Sequence, residues 1–194
     1  MHTFTKTSLG TLILAVALST QLTACVPVVV GGAAAGGAMA ADRRTSGTYI
    51  EDQAIELKAG KAISDNLKDN VHANVTSYNR QVLITGEVSD EANKKKAESL
   101  VKPIENVASI KNYLEIAKKS SLSTRTNDAY ITSKVKANFL KENKFAANYD
   151  KVVTESGTVY LLGLVTHKEA DDAVEIARSI GGVKTVVKVF EYID

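Results

Sequence analysis

Val159-Tyr160-Leu161-Leu162-Gly163-Leu164-Val165 decides the fold. The run is rich in branched and aromatic residues. It follows Glu155-Ser156-Gly157-Thr158, whose residue types favour a tight turn, so it reads as the returning strand of a β-hairpin. Lys151-Val152-Val153-Thr154 supplies the outgoing strand. The same pattern stands earlier in the chain. Val71, Ala73 and Val75 alternate with polar residues, Ser77-Tyr78-Asn79-Arg80 reads as the turn, and Gln81-Val82-Leu83-Ile84-Thr85-Gly86-Glu87-Val88 returns. Gly86-Glu87-Val88 and Gly163-Leu164-Val165 hold matching places. A glycine inside a strand pattern marks a bulge or a close backbone approach. The chain is a duplication.

Working outward, each hairpin is preceded by a helical stripe. Ile55, Ala59, Ile63 (or Ala62) and Leu67 recur at about every fourth position in the first copy; Ile131, Val135 and Phe139 do so in the second. Asp52 and Asp128 suit an N-cap or first-turn position in these helices. A second helix follows each hairpin, over Glu91–Val101 and Glu169–Ile180. Pro103 stops the first, and Gly181-Gly182 caps the second. Each copy ends in a strand, over Val107–Ile116 and Val183–Ile193. The order α-β-β-α-β, read twice, predicts an α+β fold. Each copy has two helices packed on one face of a three-stranded mixed sheet.

The N-terminal segment has another character. Lys6 precedes an apolar run, Leu9–Leu18, too short to span a bilayer as a mature helix. Leu22-Thr23-Ala24-Cys25 follows, and Cys25 is the sole cysteine. One thiol cannot close an intramolecular disulfide. The tetrapeptide resembles a lipobox, which implies cleavage before Cys25 and a diacylglyceryl thioether plus an N-acyl chain on it. Two or more chains hold a protein stably on a membrane where one does not. Val26 in place of aspartate after the cysteine implies, by the same resemblance, sorting to the outer membrane, facing the periplasm. Val26–Ala41 is Gly- and Ala-rich and reads as a flexible tether. The expected organisation is a signal peptide over 1–24, the acylated cysteine and tether over 25–47, a first module over 48–117, a linker over 118–125 and a second module over 126–194.

The formal net charge of the 194 residues is +2, and losing Lys6 with the signal leaves about +1. That near-neutral balance excludes a global basic field for nucleic acid.

Leu161-Leu162-Gly163-Leu164-Val165 before the second helix and Gly182-Val183-Lys184-Thr185-Val186 after it resemble the BON domain. The first copy keeps Ile84-Thr85-Gly86-Glu87-Val88, but Asn106-Val107-Ala108-Ser109-Ile110 lacks the glycine. With the lipobox, the whole resembles the dual BON-domain outer-membrane lipoproteins of Gram-negative envelopes. The osmotically inducible periplasmic BON proteins are more distant relatives without the anchor.

No catalytic constellation is legible. His2 leaves with the signal, and His72 and His167 stand in different copies without counterparts. No clustered set of three or four metal ligands is visible, and no nucleophile elbow is present. The expectation is no enzyme, no metal and no cofactor beyond the acyl groups on Cys25.

Aligning Asp52 with Asp128 pairs Ala54 with Tyr130, Lys58 with Lys134, Gly60 with Lys136 and Asp65 with Lys141. The second copy is more basic and gains an aromatic. Tyr130, Lys134, Ala137 and Lys141 share a ridge away from the apolar stripe, with Lys136 toward the other flank. Tyrosine among lysines suits a headgroup layer. The resemblance implies binding of anionic phospholipid through this helix, in support of envelope integrity. The alternative is an adaptor that docks an envelope protein, such as an assembly machine or a cell-wall remodelling regulator.

Overall fold

The computed structural model describes residues 42–142 and 150–194. Two modules follow one another. The first is α1 (Ser46–Leu67), a single 3₁₀ turn (Lys68–Asn70), β1 (Val71–Tyr78), β2 (Gln81–Val88), α2 (Glu91–Val101), β3 (Ser109–Asn112) and β4 (Glu115–Ile116). The second is α3 (Leu122–Glu142), β5 (Asp150–Glu155), β6 (Thr158–Val165), α4 (His167–Arg178) and β7 (Thr185–Tyr192).

Both sheets are mixed. In each, the hairpin is antiparallel and the last strand runs parallel to its second member. β2 pairs with β1 and with β3 and β4; β6 pairs with β5 and β7. The last strand of the first module is broken at Tyr113-Leu114. There Leu114 is buried, and its N–H donates to Asn112 Oδ1.

The helices cover one sheet face in each module. Ile55, Ala59, Ile63 and Leu67 of α1 and Ala97 and Val101 of α2 pack on Val82, Ile84 and Val88. Ile131, Val135 and Phe139 of α3 and Ala173, Val174, Ile176 and Ala177 of α4 pack on Val159 and Leu161. The alternating residues form a third core shared by the modules. Tyr78 and Leu83 meet Tyr160, Leu162 and Val189 there. Tyr113 adds a tilted ring contact with Tyr160, centroids 5.3 Å apart. Burial of the central strands on both faces explains the apolar runs Val82–Ile84 of β2 and Val159–Leu162 of β6. Burial drives the Tyr160 hydroxyl pKa up to about 12, with Glu115 and Glu155 adding to the effect.

The first helices start earlier than expected. Ser46 and Gly47, assigned to the tether, are helical, and so are Leu122–Arg125, assigned to the linker. Both starts use one device. Thr45 Oγ1 accepts the N–H of Thr48, and Ser121 Oγ accepts that of Thr124. Asp52 and Asp128 therefore stand inside their helices, not at the caps. The first hairpin turn is also one residue further along, at Asn79-Arg80, both with positive φ. Ser156-Gly157 is its equivalent. Positive φ at both central residues matches the right-handed twist of a two-residue hairpin.

Gly86 shows why a glycine stands within β2. Its φ is +114°, and a Cβ there would fall on the carbonyl oxygen of His72. Gly163 lies between Asp150 and Phe190 in the second sheet.

Candidate functional site

The chain folds α3 so that its core stripe is buried and its opposite side faces solvent. Tyr130, Lys134 and Lys141 are exposed there, and Lys136 is exposed toward the other flank. Tyr130 is 57 % exposed, and Lys134 Nζ stands 5.3 Å from its ring centre. Among the described residues no carboxylate forms an ion pair with these three lysines. Two further apolar side chains share the face. Leu122 is 81 % exposed and Leu140 70 % exposed. Both escaped the sequence reading, Leu122 because its Ser/Thr-rich surroundings read as a linker. Leu122, Thr126 and Tyr130 line an open hollow at the start of the helix.

α1 lacks this balance. It carries four acids (Glu51, Asp52, Glu56, Asp65) against Lys58 and Lys61, whereas α3 carries Arg125 and three lysines against Asp128 and Glu142. Lys61 is paired with Asp65, and Glu56 with Lys151 of the second module.

Cys25 lies outside the described residues. No described helix is long and apolar enough to cross a membrane.

The structure brings together one group that the sequence reading separated. His72 and Glu87 face each other across the first hairpin, with His72 Nδ1 2.9 Å from Glu87 Oε2. Glu155, at the end of β5, reaches the same imidazole at 3.9 Å. Ser120 N–H donates to Glu87 Oε2, and Asn74 Nδ2 donates to Glu155 Oε2. Burial opposes ionisation of Glu87, yet the bonds from Ser120 and His72 outweigh it and hold its carboxyl below the ordinary range. For Glu155 burial prevails over the Asn74 bond, and the carboxyl is pushed up. A set of three potential metal ligands thus exists, where the sequence showed none.

The modules are joined at other points by polar contacts. Arg43 grips Glu169 through both terminal nitrogens at 2.7 Å and also donates to the Leu164 carbonyl at 2.8 Å. Arg44, its neighbour, pairs with Asp42 and with the buried Asp52 and lies 3.9 Å over the Tyr78 ring. Asn79 Nδ2 donates to Glu191.

The BON-domain family model matches twice, over residues 51–118 and 127–194. The chain belongs to the BON-domain family. Each match spans one structural module, from the first helix to the last strand. The chain is 38% identical over 175 residues to the outer membrane lipoprotein DolP of Haemophilus influenzae, covering 89% of this chain and 91% of that one. It is 32% identical over 154 residues to the 21 kDa hemolysin of Actinobacillus pleuropneumoniae, covering 78% and 79%. It is 31% identical over 146 residues to the osmotically-inducible protein Y of Escherichia coli, covering 72% of each. The localisation expected from Cys25 and Val26, at the outer membrane, agrees with the name of the Haemophilus relative.

Proposed function

We propose that this BON protein is a lipid-anchored outer-membrane protein whose second module holds anionic phospholipid on the exposed face of α3. The observation that carries the reading is the composition of that face. Leu122, Tyr130 and Leu140 offer apolar contact, and Lys134, Lys136 and Lys141 add positive charge that no carboxylate among the described residues pairs. Such a helix lies in an interface with apolar side chains among the acyl boundary and ammonium groups on lipid phosphate. Each lysine near an anionic surface contributes about 1 kcal/mol. Cys25 would supply the anchor and keep the face close to its target. The relative named as an outer-membrane lipoprotein supports the location. The role is binding, in maintenance of the envelope, not catalysis.

Sedimentation with vesicles tests this. Protein with Cys25 replaced by serine, so that no acyl chain contributes, should pellet with phosphatidylglycerol-containing vesicles and stay in solution with phosphatidylcholine alone. Equal behaviour with both would transfer the face to the adaptor reading, in which a protein partner covers it.

A further inference from the structure

We propose that His72, Glu87 and Glu155 form a site for one divalent ion of the zinc class, and that the ion ties the two modules together.

The geometry comes first. His72 Nδ1 lies 2.9 Å from Glu87 Oε2 and 3.9 Å from Glu155 Oε1. One ligand atom from each of the three residues lies within 4.8 Å of the others. Zinc bonds nitrogen and oxygen at about 2.0–2.2 Å, which sets tetrahedral ligand atoms about 3.4 Å apart. The two measured separations straddle that value, and coordination would require the glutamates to turn until all three ligand atoms meet it.

The surroundings fit a cation as well. Glu87 is 4% exposed and Glu155 7% exposed. Both carboxylates reach the same imidazole nitrogen. Two buried acids thus share one weak base, and buried charge is costly unless it is compensated. A divalent ion supplies the missing charge. Coordination needs an unprotonated Nδ1, so any proton held there would leave to solvent. The outer shell is already built. Ser120 N–H orients Glu87, and Asn74 binds Glu155 Oε2 while Oε1 turns to His72. One imidazole with two carboxylates favours zinc, manganese or ferrous iron over calcium, which takes oxygen-only sets.

Access is through an open cavity of about 590 Å³ lined by His72, Asn74, Arg125, Asp128 and Glu155 among others. Water from that cavity would complete the coordination. His72 and Glu87 belong to the first module and Glu155 to the second. The full ligand set therefore exists only while the modules are packed, and an ion that binds that state alone stabilises it.

The test uses the full chain in mild detergent, stripped with chelator and titrated with Zn²⁺ by calorimetry, with Ca²⁺ in a parallel arm. The expected result is one Zn²⁺ per chain, a raised melting temperature, and Ca²⁺ at least tenfold weaker. His72→Gln and Glu155→Gln should each weaken Zn²⁺ binding at least tenfold, and His167→Gln, on the exposed pair with Asp194, should leave it unchanged. Should one of the first two variants fail to fold, the other carries the comparison. Stoichiometry far below one ion per chain overturns the proposal. So does wild-type Zn²⁺ affinity in a folded His72→Gln or Glu155→Gln protein.

Discussion

Asp52 and Asp128 do the same work in the two modules: each sends a buried carboxylate from the middle of a helix to the backbone of a hairpin turn. Asp52 accepts the N–H groups of Asn79 and Arg80, both at 2.8 Å. Asp128 accepts those of Ser156 and Gly157, both at 2.9 Å. The equivalence fixes the helix on its sheet in both copies and compensates for aspartate's low helix propensity. The two differ in one respect. Asp52 also takes the Arg44 guanidinium at 2.7 Å and the Ser77 hydroxyl at 2.5 Å.

Asp128→Ala removes two hydrogen bonds to a charged acceptor and strands two backbone donors. It should lower stability by about 2 kcal/mol. Asp52→Ala also breaks a buried ion pair and should cost more, about 3–4 kcal/mol. Urea unfolding of both variants measures the difference. Equal losses would deny Arg44 its part.

Gly86→Ala should destabilise the first module by more than about 2 kcal/mol, since the new methyl meets backbone at a strained φ. Thermal unfolding reads this directly. Gly60→Ala is the control. Space is open at Gly60, which lies in α1, so that change should stabilise by a few tenths to 1 kcal/mol.

Tyr130→Ala with Lys134→Glu should reduce binding to anionic vesicles several-fold while leaving the unfolding transition within about 0.5 kcal/mol, since both residues are exposed. Lys58→Glu, the matching change in the first module, should matter little. Leu122→Ser should resemble the Tyr130 change. Binding should weaken as salt rises, because the contact is screened over about 8 Å at physiological ionic strength.

The Arg43 fork holds the Glu169 carboxyl well below its usual range, at about 2, against the opposing effect of burial. A carboxylate with a lowered folded pKa contributes stability that is complete above the ordinary carboxylate range. That stability is lost as pH falls through the folded value. Arg43→Ala should therefore cost about 2 kcal/mol at pH 7 and progressively less as pH falls from about 4.5 toward 2. Paired unfolding curves of wild type and variant at pH 7 and pH 2.5 give the comparison.

Cys25→Ser removes the only thiol able to accept a diacylglyceryl group. The variant should appear in the soluble fraction or remain unprocessed, and intact mass should show acyl adducts on the wild type alone.

Much of this fold was legible because each element announces itself by period. β2 and α2 begin and end where their apolar spacing and Pro103 place them. The helix starts were not legible. Thr45 and Ser121 are good caps, but they stand among residues of low helix propensity that read as loop. The hairpin turn carries a more instructive miss. Placing it over Ser77–Arg80 sets His72 opposite Thr85; the real turn at Asn79-Arg80 sets His72 opposite Glu87. A displaced turn thus hid the buried pair. Glu155 joins them only through packing between modules, which no local pattern encodes. The α3 lysines, by contrast, follow from aligning the two copies.

Neighbouring arginines at the start of the described chain hold different modules, Arg43 the second and Arg44 the first. A pull from the N-terminal side meets these two grips before it reaches the first turn of α1. Traction on the chain therefore reaches both modules through two consecutive residues.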